Sequence, residues 1–214
     1  TLAAVSVKTG VPESVIVAII GVETFYGRIS GSYRGVDALS TLAFDYPKRS
    51  PFFTRELEHF LILAYESGKD PLALTGSYAG AMGFGQFMPS SYRAYARDFD
   101  GDGVADIWSN PADAIYSVGN YFVEHGWQPG EPVIVVANGD EAAPDLFEAG
   151  LKPSFTVGEL AEMGLAPLVA TDVNYRATPL KLEGEAGPEY WLGLPNFYVI
   201  TRYNHSAMYA LRVW

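Results

Sequence analysis

Residues 15–22, VIVAIIGV, carry no polar side chain. Wound into a helix, such a run has no face to give to water, so other elements must pack around it on every side. Pro12 suits the first turn of that helix, and Glu13 suits the positive end of its dipole. The run is too short to span a bilayer. It needs a sizeable core instead, and a 214-residue chain that is 49% apolar and 18% charged can supply one.

Glu23 follows directly. Its helical neighbours one and two turns back are Ile19, Ile20, Ile16 and Val15, so a carboxylate stands at the end of an apolar face. Burial raises a carboxyl pKa, and a glutamate kept protonated near neutral pH can serve as the general acid a glycosidase needs at its leaving oxygen. The same spacing fits a buried glutamate neutralised by Arg28, one turn on. Spacing alone does not choose between them.

Two further helices are predicted in the first half. FFTRELEHFLILAYESG (52–68) spaces Phe53, Leu57, Phe60, Leu61 and Ala64 on one stripe, with Glu56, Glu58 and Glu66 off it and Gly68 as a stop. PADAIYSVGNYFVEHGW (111–127) repeats the pattern between Pro111 and Gly126. After about residue 130 the composition shifts. EPVIVVANG (131–139) predicts a short strand and FTVGELAEMG (155–164) a short helix, within a stretch to 187 rich in Pro, Gly and acids. The end, 196–214, starts strand-like and becomes helix-like. The expected class is α+β, mainly helical, with residues 1–130 and 188–214 as the core and 131–187 as a small, partly β subdomain.

Two stretches carry chemistry. GSYAGAMGFGQFMPSSYRAYA (76–96) has four glycines in ten residues, which calls for tight turns or close backbone approach. Gln86, Ser77, Tyr78, Ser91 and Tyr92 offer hydrogen bonds of the kind sugars take, while Ser90 is read as the cap of a helix after Pro89. DFDGDGVADIWSNPAD (98–113) sets Asp98, Asp100 and Asp102 at alternate positions before Gly103, with the Val104 carbonyl next. That is the front half of a calcium loop. Ser109 occupies the twelfth position, where such loops carry glutamate, so Asp113 on the next helix is the candidate for the closing carboxylate. Three aspartates gathered without a cation would repel one another, which favours calcium in a structural role over a solvated acidic turn.

Other classes are disfavoured. A net charge of −11, with no basic run longer than Lys48-Arg49, is the wrong sign for nucleic acid. There is no cysteine for a disulfide or thiolate site, and His59, His125 and His205 lack paired metal-ligand spacing. The chain starts at Thr1 without a charged-then-apolar leader and reads as a mature product or a fragment.

Four blocks, GVETFYG (21–27), GSYAGAMGFGQFMPSSY (76–92), SVGNYFVEHGW (117–127) and LPNFYVITRYNHSAMYA (194–210), together resemble the lytic murein transglycosylase B family. The resemblance implies a lysozyme-like fold and cleavage of peptidoglycan between N-acetylmuramic acid and N-acetylglucosamine, a carbon–oxygen lyase reaction leaving 1,6-anhydromuramoyl ends. It implies Glu23 as the only catalytic acid and base. Ser77 then contacts the 2-acetamido group, Asn204 holds the transition-state sugar, and Gln86, Tyr121, Tyr203 and Tyr209 take groove or glutamate-supporting positions. Lys48 and Arg49 match a basic pair near peptide or lactyl carboxylates. The first is commonly Arg, and lysine keeps its charge but not its planar fork.

The resemblance also implies a lengthened calcium loop, a monomer without organic cofactor acting on glycan strands, and a periplasmic location, soluble or lipid-anchored to the outer membrane at full length. A muramidase-type hydrolase would need a second carboxylate, for which Asp37 and Asp45 are the candidates, neither in an apolar setting like that of Glu23. A non-catalytic glycan-binding module is the other alternative.

Overall fold

The computed structural model describes residues 1–185 and 187–214, and the chain divides by compactness into Thr1–Glu124 and His125–Trp214. The first unit is helical. Helix α1 (Leu2–Thr9) ends at Gly10, whose φ of 70° lets the chain turn into α2 (Glu13–Thr24). The Thr9 hydroxyl donates to the Val5 carbonyl (2.8 Å) and accepts from the Val11 amide (3.3 Å), fixing that corner. Helix α1 lies against α6 (Pro111–Glu124) at Gly119, where a Cβ would come within 3.0 Å of both Val5 and Thr9.

The all-round burial expected of α2 is only partly realised. Val15, Ile16 and Ile19 are fully buried, but Val17, Ala18 and Ile20 are half-buried and Val22 is 44% exposed. The buried positions form a single inward stripe. Val17 and Ile20 instead line a cavity of about 240 Å³ with Tyr26, Phe84 and Ile115.

A two-residue ribbon, β1 (Tyr33–Arg34) with β2 (Thr75–Gly76), encloses α3 (Gly35–Asp45) and α4 (Ser50–Glu66) in sequence. Gly35 allows α3 to lie on Phe60 of α4, since a Cβ there would be 2.5 Å from the ring. Burying Phe60 fully contributes roughly 2–3 kcal/mol before chain entropy is counted.

The stripe expected of this helix needs correction. Phe53, Phe60 and Ala64 are buried, but Leu61 is 47% exposed and Glu56, expected to lie off the stripe, is 4% exposed. Its carboxylate accepts from the Ser90 amide (2.9 Å) and the Ser90 hydroxyl (2.7 Å), at the start of α5 (Pro89–Tyr95). Ser90 is therefore not the cap expected of it. Glu56 satisfies the orphan donors of α5 from a neighbouring helix.

In the second unit a five-stranded sheet, antiparallel at every pairing, runs in the order β4-β6-β7-β3-β5. Its strands are β3 (Ile134–Asn138), β4 (Phe155–Thr156), β5 (Ala166–Pro167), β6 (Arg176–Gly184) and β7 (Gly187–Gly193). A short 3₁₀ turn (Pro144–Glu148) and α7 (Val157–Glu162) belong to the same unit, and Val135, Ala137, Leu160, Leu165 and Leu192 form its core. The chain ends in α8 (Pro195–Tyr203) and α9 (Ala207–Val213), so the strand-like start expected after 196 is a helix. Pro195 at its first turn and a buried stripe of Phe197, Ile200 and Thr201 override the β-rich composition.

Candidate active site

Glu23 occupies the last turn of α2, half-buried, one turn beyond fully buried Ile19. The chain then makes three left-handed residues in succession: Phe25 (φ 52°), Tyr26 (φ 61°) and Gly27 (φ 80°). For Phe and Tyr that conformation costs of the order of 1–2 kcal/mol each and persists only where the surroundings dictate it. Here they do. The Thr24 hydroxyl lies 2.9 Å from the Phe84 carbonyl and 3.0 Å from that of Ile20, and accepts from the Gly27 amide (2.9 Å). Tyr26 lies on Gly21, and any Cβ at Gly27 would run into the Phe84 ring. The peptide after the carboxylate is thus clamped to the glycine-rich loop.

That loop is built by close backbone approach, as its glycines predict. A side chain at Gly31 would collide with the Gly76 backbone, and one at Gly83 with Ile107. Ser77 closes a turn: its amide donates to the Ala81 carbonyl (2.8 Å), and its hydroxyl accepts from the amides of Ala81 (3.1 Å) and Ala79 (3.3 Å). Gln86, itself at φ 49°, donates its side-chain amide to Ser30 (3.1 Å) and Gly83 (3.0 Å) carbonyls, tying the loop to the segment after Gly27.

Glu23, Ser77 and Gln86 therefore belong to one hydrogen-bonded assembly around Thr24 and Phe84. Tyr121 is buried against Phe87, Tyr95 and Phe122. Tyr92 is buried too, its hydroxyl donating to the Ala105 carbonyl (3.0 Å), whereas Tyr78 is 73% exposed. Lys48 and Arg49 are exposed at the entry to α4, with the Arg49 guanidinium 4.4 Å above the Phe52 ring.

In the second unit, Tyr203 and Asn204 end α8 and Tyr209 lies in α9, whose first turn is capped by the Ser206 hydroxyl (3.3 Å to the Tyr209 amide). Asn204 and His205 are exposed and Tyr209 is buried. The two candidate second carboxylates differ in setting from Glu23: Asp37 is exposed and paired with Arg34 at 2.6 Å, and Asp45 is exposed at the end of α3.

In the acidic loop, carboxylate oxygens of Asp98, Asp100 and Asp113 lie within 4.8 Å of one another. Asp113 is fully buried and accepts from the amides of Phe99 and Asp106 (2.8 Å each). The amides of Gly103 and Gly101 hold Asp98 below the usual carboxylate range. Asp102 accepts from the Val104 amide (2.8 Å), and the Val104 carbonyl from the Asp106 amide (3.1 Å), so neither stands in the triad as found. All-carboxylate oxygen donors suit a hard divalent cation. Burial, and then Asp106, Asp113 and Glu66, push the Tyr92 phenol up to about 12, which marks the negative potential here.

Four structural residues escaped the sequence: Glu56, Thr24, Asp106 and Asn110. Asp106 caps the turn through Trp108 (3.0 Å) and Ser109 (3.1 Å), signalled only by an Asp followed three residues later by Ser. Burial raises its carboxyl, but these bonds and Lys69 outweigh it and hold it low. Asn110 reaches Asp100 (2.8 Å).

The model of the Transglycosylase SLT domain matches residues 1–214. Membrane-bound lytic murein transglycosylase B of Escherichia coli (strain K12) is 53% identical over 205 residues, 96% of this chain and 56% of that protein, so the chain spans little more than half of this curated relative. The catenated form of lytic transglycosylase SltB1 from Pseudomonas aeruginosa superposes with a TM-score of 0.96 at 58% identity, over 99% of this chain and 70% of that one. Escherichia coli Slt35, solved in complex with calcium, gives 0.91 at 50% identity, over 100% and 67%. These likenesses bear out the α+β, lysozyme-like fold. With every residue inside the family match, the chain belongs to the Transglycosylase SLT domain family.

Proposed function

We propose that the chain is a peptidoglycan lytic transglycosylase with Glu23 as its single acid–base residue. The observation that carries this is the end of α2: a half-buried glutamate on an apolar stripe, followed by a left-handed turn clamped to the loop holding Ser77 and Gln86, in a chain matched throughout by this family. Glu23 protonates the glycosidic oxygen between N-acetylmuramic acid and N-acetylglucosamine as the anomeric C–O bond breaks. The carboxylate so formed takes the proton of the muramoyl 6-hydroxyl, whose oxygen bonds to the anomeric carbon. One bond is exchanged for another, water is not consumed, and the proton returns to Glu23.

Ser77 is assigned to the acetamido group and Asn204 to the transition-state sugar. Gln86, Tyr121, Tyr203 and Tyr209 are assigned to the groove or to Glu23, and Lys48 and Arg49 to carboxylates of the substrate. The buried partners of Tyr121 and the two carbonyls taken by Gln86 favour supporting roles for that pair. Calcium is proposed for Asp98, Asp100 and Asp113, with Asp102 and the Val104 carbonyl turning in to complete the shell. It would pin the loop to α6 and take no part in the chemistry. The catalytic core is assigned to 1–130 and 188–214, acting as a monomer in the periplasm.

The test is release of soluble fragments from purified peptidoglycan by this chain and by Glu23→Gln. General acid–base catalysis contributes roughly 10²–10⁴-fold, so release should fall at least a hundredfold with the melting temperature unchanged. New reducing ends would make the chain a hydrolase. Equal binding by both proteins, with release by neither, would make it a glycan-binding module.

A further inference from the structure

The second unit carries a groove of about 310 Å³ on its sheet. Val136 and Trp191 are cross-strand partners and share a face, opposite to the one on which Val135 and Leu192 enter the core. Leu168, whose amide donates to the Val136 carbonyl (2.9 Å), extends the apolar wall. Val136 is 40% and Leu168 63% exposed.

Trp191 is half-buried, and its Nε1 is sealed from solvent without a hydrogen-bond partner among the described residues. What the indole offers solvent is therefore carbon surface. The charged groups among the described lining residues are Asp140 and Glu189, both exposed carboxylates.

An apolar wall, an aromatic surface and two uncompensated carboxylates suit one ligand chemistry: a primary ammonium on an aliphatic stem. Its methylenes would cover Val136 and Leu168, and its charge would sit by the indole and between the carboxylates. A neutral sugar would leave both carboxylates without a counter-charge. We propose that this groove binds the free side-chain amine of a diamino acid in a peptidoglycan peptide stem. The choice of carrier rests on the proposed function; the preference for an ammonium rests on the groove.

The experiment is an NMR titration of the ¹⁵N-labelled full chain, following the four indole N–H signals. The probes are an alanyl-γ-glutamyl-lysine tripeptide, the same peptide acetylated on its side-chain amine, and N,N′-diacetylchitobiose. The free amine should move Trp191 and leave Trp108 and Trp214 still, and acetylation should weaken the response roughly tenfold. Asp140→Asn with Glu189→Gln should weaken it comparably, with the unaffected indole signals reporting an intact fold. Equal response to both peptides, a stronger response of Trp191 to the sugar, or no response of Trp191 to any probe overturns the proposal. Binding is read without glycan cleavage, so the groove and the catalytic proposal can fail separately.

Discussion

Glu23 and Glu56 show how differently two helical glutamates can be employed. Each interrupts an apolar pattern, and only Glu23 was singled out by the sequence. Periodicity grouped Glu56 with Glu58 and Glu66, because a helical stripe describes one helix and says nothing of what packs beside it. In the fold α5 packs against α4, and both carboxylate oxygens of Glu56 are taken by Ser90. Glu56→Ala leaves buried donors at the start of α5 unmet and should lower stability by about 2–3 kcal/mol. Glu56→Gln, which keeps one acceptor, should lose less. Urea denaturation of the two variants measures this, and an unchanged midpoint for the alanine would contradict it. The left-handed turn after Glu23 was invisible for the opposite reason: Phe25 and Tyr26 are unusual residues for that conformation, and only the Thr24–Phe84 clamp explains it.

At the scale of elements, local signals succeeded where chain neighbours decide the structure. TVGE (156–159) is a complete capping box: the Thr156 hydroxyl accepts from the Glu159 amide (3.1 Å) and the Glu159 carboxylate from the Thr156 amide (2.7 Å). Thr156→Ala should cost about 1 kcal/mol. The Thr156 backbone amide, then its side chain, hold the Glu159 carboxyl below its ordinary value of 4.5. A depressed folded pKa adds stability that is complete above the unfolded value and is lost as pH falls through the folded one. Melts between pH 7 and 3 should therefore show the box weakening below about pH 4.5, and Glu159→Gln should remove that part of the acid sensitivity.

Where partners are distant in sequence, the signals failed. Residues 197–201, FYVIT, suggest a strand by composition but belong to α8. Strand β6 went unread because it contains Pro179, tolerated where the sheet, beyond the β4 pairing at Ala177, continues on one side only. The acidic loop was readable by spacing, although Asp113 rather than Asp102 joins the triad. Calcium should raise the melting temperature, by the equivalent of about 2.7 kcal/mol at a hundredfold excess over Kd, and a chelator should reverse it. Asp113→Ala should abolish the response. A melt indifferent to calcium would remove the cation from the loop.

For the molecule as a whole, the apolar content, the four blocks and the charge gave class and family, while the pairing of β6 with β7 and the buried tie between α4 and α5 needed coordinates. The charge of −11 carries its own consequence. An acidic protein on an acidic polymer gains nothing from long-range attraction, so recognition rests on local contacts inside the screening length of about 10 Å at 0.1 M salt. Co-sedimentation with peptidoglycan should change little between 50 and 300 mM salt, taken as roughly this screening range. Binding that climbs steeply as salt falls would contradict it.

The decisive observation concerns the ends that Glu23 leaves on the glycan. Mass spectrometry of soluble fragments from purified peptidoglycan should find muramoyl ends one water lighter than reducing ends, absent when Glu23→Gln replaces the chain. Fragments bearing the full water, or light ends that persist in the variant, would contradict a single-glutamate transglycosylase.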